Sequence, residues 1–164
     1  MIYAFGRGML PWEKESAARH LPTYVAGLVY HAGIFAAIAL ALAQAAGIHL
    51  PNAAVSVIRI SMAAGLCVGA GLLLKRLTKS QLRHISCPDD YAANILVDGF
   101  ILAGLLSSWL PAALPVFHVA AIVTFLYMPL GKIRHCFFFF YSRFLFGSYF
   151  GRRGVLPPKR AAKA

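Results

Sequence analysis

The chain has 164 residues, 60% of them hydrophobic and only 13% charged, with a mean hydropathy of +0.69 and a formal net charge of +11. A soluble domain of this size could not hide so much apolar surface, so the composition excludes an ordinary globular protein and points to several membrane spans. Nor does the basicity mark a nucleic-acid binder, because its placement follows the apolar runs.

The opening stretch, "MIYAFGRGMLPWEKESAARH", carries charges and a proline ahead of any long apolar run. It does not read as a signal peptide, and residues 1–20 are expected to form a cytoplasmic N-terminal segment. A first span is predicted over Leu21–Ala46, with Pro22 suited to its first turn. A second is predicted over Asn52–Leu74, closed by "KRLTK"; its "AAGLCVGAGLL" is rich in the small residues that let helices approach closely. Asp89 and Asp90 stand at the start of a third, Tyr91–Leu110, where acidic groups favour a helix N-terminus. The fourth runs over Ala112–Arg134 and contains "YMPLGK", whose Pro129 removes a backbone hydrogen bond and can kink the helix. Beyond it, "CFFFFYSRFLFGSYFGRRG" suits an interfacial helix or a docking surface, and "VLPPKRAAKA" reads as a flexible tail.

Charge sets the direction. Of the 16 Lys and Arg residues, Arg59 lies inside the second span, and the remaining fifteen (16 − 1) all fall on one side if there are four spans. The opposite loops, "GIHLPN" and "LP", carry none. The positive-inside rule then places both termini in the cytoplasm. The expectation is an all-α, integral-membrane four-helix bundle over residues 21–135, followed by a cytoplasmic aromatic and basic segment with a C-terminal interfacial helix over residues 136–164.

Three cysteines, Cys67, Cys87 and Cys136, form no CxxC pair, which argues against an iron–sulfur cluster or a structural zinc within the chain. No disulfide is expected either. Histidine is more informative. His49 and His84 read as solvated loop residues, but His20, His31, His118 and His135 flank or enter apolar spans. His20 and His31 are eleven residues apart, about 20° past three full turns, and so share a face roughly 16 Å apart along the axis. On the fourth span, which runs the other way, His118 enters early and His135 follows about 25 Å later. His31 therefore matches His118 in depth, and His20 matches His135. Two pairs at two levels is the arrangement that two bis-histidine haems need, although the fourth-span pair is about 100° out of phase. The plainer reading is four interfacial or helix-to-helix hydrogen-bonding histidines. A zinc or iron site is less apt, because no carboxylate or cysteine lies at the depth of His31.

The "YHAGIF" of the first span, with a histidine eleven residues before the histidine it contains, resembles the gamma subunit of respiratory nitrate reductase. It is similar also to the cytochrome b subunits of sulfite-reduction and heterodisulfide-reductase-type membrane complexes. "MPLGKIRH" and "CPDDYAANILVDGFILAG" resemble further segments of that family, and the likeness covers about Arg19 to Arg153. The resemblance implies a dihaem cytochrome b subunit in a prokaryotic inner (cytoplasmic) membrane. It would hold two haem b groups, His31 with His118 and His20 with His135. It would exchange electrons between a quinone, menaquinone or ubiquinone, and a cytoplasmic iron–sulfur or flavin subunit. Family members commonly carry one more N-terminal helix, so a further membrane subunit is expected to cover the open face. Arg59, about two turns into the second span, would meet a haem propionate or a quinone carbonyl, or else snorkel outward. Asp98 would relay protons, pair with a base or sit protonated; Tyr30 and Tyr127 are expected to pack and anchor. The competing class is a redox-silent membrane anchor or small transporter subunit, whose charge layout would look the same.

Overall fold

The computed structural model describes residues 2–13 and 19–155. The tail expected beyond Val155 lies outside the described residues. Every regular element among them is helical. A short α1, Ile2–Phe5, precedes α2, Leu21–Ala45. Then come α3, Asn52–Thr78; the five-residue α4, Ser80–His84; α5, Pro88–Ser107; α6, Leu114–Tyr127; and α7, His135–Arg152. Three of these, α2, α3 and α5, are long and apolar enough to cross a membrane, and they suggest a multi-pass membrane protein. A fourth span is reached only if Pro111–Tyr127 and Lys132–Arg152 count together.

The helix ends follow from local chemistry. α2 stops in a Schellman motif: Gly47, at φ +67, donates to Gln44 O (3.1 Å), and Ile48 donates to Ala43 O (2.8 Å). A residue with a Cβ is strained at that φ, which is why glycine stands there. α5 opens on a reciprocal cap in which the Cys87 N–H donates to Asp90 Oδ2 at 2.9 Å. The expected fourth span differs most from the structure. It is not one helix over Ala112–Arg134, because α6 ends at Tyr127 and a turn follows before the 3-10 turn Lys132–Arg134. Pro129 cannot donate to the carbonyl four residues back, so the helical hydrogen bonds stop there although Met128 itself keeps helical angles. The chain instead turns on Tyr127, whose carbonyl accepts from both Leu130 (3.0 Å) and Gly131 (2.9 Å). A Cβ on Gly131 would run into the Tyr127 ring. At 14 residues, about 21 Å, α6 alone falls short of a ~30 Å hydrocarbon core.

The chain divides into two compact units. Val25–Ile133 forms one of them, around Phe100, Phe117, Met62 and Ile101, all fully buried. Phe100 and Phe117 stack at 5.4 Å, and Gly104 receives both Phe117 and Met62 Sδ. α2 and α3 cross glycine on glycine: a Cβ on Gly65 would stand 2.7 Å from Gly33 Cα. One end of this unit is tied by the acidic N-terminus of α5. Asp90 pairs with Lys132 (3.0 Å) and Arg76 (3.4 Å), and Asp89 accepts the Tyr127 hydroxyl. The other unit joins the first residues to α7, with Phe5 against Phe139 and Phe140 and the Tyr24 hydroxyl donating to Met9 O (2.9 Å).

Candidate functional site

The four candidate histidines divide between the two units. His31 and His118 belong to Val25–Ile133, and His20 and His135 to the other unit. His20 precedes α2, and His135 is the first residue of α7; both are exposed.

His31 sits on α2 with its Nδ1 2.7 Å from Gly27 O. A carbonyl only accepts, so Nδ1 carries the proton and the lone pair of the neutral ring is on Nε2. A backbone acceptor on Nδ1 is the usual support for a histidine that ligates metal through its other nitrogen. His118, on α6, packs its ring on Phe117. Its Nε2 is buried and has no hydrogen-bond partner. That atom belongs to a residue lining an apolar groove of about 370 Å³ between α2 and α6, with Ala41, Leu42 and Ala45 on one wall and Ala121, Ile122 and Phe125 on the other. A buried ring nitrogen left without a hydrogen-bond partner costs about 1–3 kcal/mol.

The groove reaches α2 ten residues, about 15 Å, beyond His31, and His31 is not in its lining. The structure thus puts both helices of the expected pair in one unit, with a space between them. It does not bring the two imidazoles to that space together. Among the described residues there is no group of three or more His, Cys, Asp or Glu side chains that could hold a metal ion. This is silent on paired axial histidines. All three cysteines are free thiols.

Arg59 has protein partners that depth alone could not name. Its Nε donates to Ser108 Oγ at 3.0 Å, its Nη2 donates to Ser108 O, and the guanidinium lies 5.2 Å from the centre of the Trp109 ring. Ser108 caps α5, so a cation sits where the helix presents its last carbonyls. Arg59→Leu should therefore cost about 2 kcal/mol by removing charged hydrogen bonds and a cation–π contact. Thermal unfolding in detergent reads this. An unchanged midpoint would show that the guanidinium does not hold the end of α5.

A second polar group lies between three helices. The Asn94 amide, on α5, donates to Asp98 Oδ2 (2.8 Å), to the Tyr30 hydroxyl on α2 (3.3 Å) and to Gly69 O on α3 (3.4 Å). Asp98 Oδ1 is buried and unmatched, and only a glycine at position 69 leaves room for that carboxyl and the Tyr30 ring. Tyr30 and Tyr127 thus do more than pack, since each joins two helices through its hydroxyl. Asn94 was missed by sequence reasoning, although its place one turn before Asp98 was a usable signal.

The fold and these residues describe a helical, multi-pass type of membrane chain with histidine placed in its apolar helices. Compared with known proteins, the chain matches no family model, no curated protein and no solved structure.

Proposed function

We propose that the chain is the dihaem cytochrome b subunit of a membrane redox complex. It would lie in a prokaryotic inner membrane with both termini cytoplasmic, and carry electrons between a quinone and a cytoplasmic iron–sulfur or flavin partner. The observation that carries this reading is the unpartnered His118 Nε2 on the groove between α2 and α6. The Nδ1 contact of His31 with Gly27 O supports it, because such a contact fixes the orientation of an imidazole. His31 and His118 would hold one haem, and His20 and His135 the other. Bound haem supplies one-electron transfer between oxidation states of its iron. The chain's own part is to present imidazoles, to exclude water with Phe100, Phe117 and the alanines of the groove, and to fix the helices. Arg59 would reach a quinone or a propionate only by sharing the guanidinium that Ser108 already uses. Asp98 Oδ1 is the atom that a proton relay would use.

A reduced-minus-oxidised spectrum of the purified protein tests the reading. Sharp b-type bands are expected, at two haems per chain. Their absence from protein purified with haem supplied in excess would sink the proposal and leave the redox-silent anchor.

A further inference from the structure

The unit whose described residues are 2–13, 19–24 and 134–155 carries a surface that the haem reading does not use. α7 has 18 residues, about 27 Å of helix. One stripe of it, Cys136, Phe139, Arg143 and Gly147, is half-buried or buried, and Phe139 meets Phe5 of α1. The rest is exposed and aromatic: Phe137, Phe138, Tyr141, Phe144 and Tyr149 are each more than half exposed. At its end Arg152 and Arg153 stand exposed, and the Arg153 guanidinium lies 4.2 Å from the centre of the Tyr149 ring. No Asp or Glu occurs anywhere after Asp98, so this helix has only positive charge to offer.

We propose that the exposed face of α7, with Arg152 and Arg153, binds anionic phospholipid of the membrane in which the long helices sit. Charge complementarity selects the occupant. The rings suit the boundary between acyl chains and headgroups, where aromatic side chains are enriched. A guanidinium held over a ring by its charge still has N–H groups to give a phosphate, which arginine can grip with two parallel bonds. A soluble protein partner would need carboxylates to meet the arginines and would leave most of the aromatic surface to be covered separately. This inference is independent of the haem assignment.

The test uses the full chain in mild detergent, with phosphatidylglycerol or phosphatidylcholine added and bound lipid counted by native mass spectrometry. Wild type should retain phosphatidylglycerol over phosphatidylcholine. Arg152→Gln with Arg153→Gln should lower phosphatidylglycerol retention roughly thirtyfold, at about 1 kcal/mol per basic residue near an anionic surface and about 1.4 kcal/mol per factor of ten. Arg153→Gln alone, at an exposed helix end, gives a smaller loss in the same direction and keeps the test valid should the double variant misfold. Equal retention of the two lipids overturns the proposal, as does a variant that binds like wild type. Displacement by millimolar inorganic phosphate would reassign the surface as a free-anion site. Loss of a co-purifying soluble subunit, with lipid retention unchanged, would reassign it as a protein dock.

Discussion

Gly65→Leu should prevent the normal packing of α2 on α3 and lower the unfolding midpoint in detergent by about 10 °C or more, or abolish recovery of folded protein. Gly33 and Gly65 meet backbone to backbone. A Cβ at either position stands within 2.8 Å of the other's Cα, and Gly33 also faces Ser61 O at 2.9 Å. Rotamer changes cannot relieve a clash between main chains, so the helices must separate. Separation would also pull on the Asn94 contacts with Tyr30 and Gly69. Between helices in lipid there is little hydrophobic driving force, and close packing of small residues supplies much of the attraction. Overpacking of this kind costs about 3 kcal/mol or more. Gly71, on the same helix, has open space around its Cβ position. Gly71→Leu should be tolerated, and equal damage from both variants would show that helix propensity or lipid contact, not the crossing, was being measured.

The second large effect concerns haem. Under the proposed ligation, His118→Leu should remove one of the two proposed haems, halving the haem-to-protein ratio, while His20→Ala and His135→Ala deplete the other spectral component. His31→Ala should deplete the same component as His118→Leu. The structure makes this last comparison informative, because the groove at His118 meets α2 about 15 Å beyond His31. Depletion of different components by His31→Ala and His118→Leu would dissolve the pair. Haem-free protein gives an independent reading. The His118 Nε2 has no partner to lose, so leucine there should leave the stability of the apoprotein unchanged or higher. A histidine whose task was to bond neighbouring helices would instead destabilise the apoprotein when replaced.

Much of this molecule could be read along the chain, where the controlling chemistry is local. α2 begins at Leu21, as Pro22 and the preceding charges suggest, and α3 begins at Asn52. α5 starts at Pro88, three residues before the expected span, because the cap formed by Cys87 and Asp90 adds a turn. α3 continues through Lys75 and Arg76 to Thr78, since basic residues are good helix formers and favour a helix C-terminus. What the sequence hid was lateral. Hydropathy and charge assign a residue its depth but not the neighbour it faces. Arg59 could be placed near one end of its helix, yet nothing in its own segment named Ser108 and Trp109. The meeting of Tyr30, Gly69 and Asn94 depends on how three helices are rotated about their axes, which a single helix does not encode. At Pro129 the expected kink is a full interruption. The difference lies in Gly131, which lets the chain fold back over the Tyr127 ring.

The division of the chain also fixes an order of events during synthesis. Val25–Ile133 is contiguous, so its helices can pack as they emerge, with His31 and His118 already in place. The other unit takes its parts from both ends of the described chain, so under the proposed pairing His20 waits for His135, which is made 17 residues after His118. Since chains acquire structure from the N-terminus during translation, the two proposed haem positions would mature one after the other. A released chain truncated after Ile133 would keep both histidines of the first proposed position and lack His135 of the second.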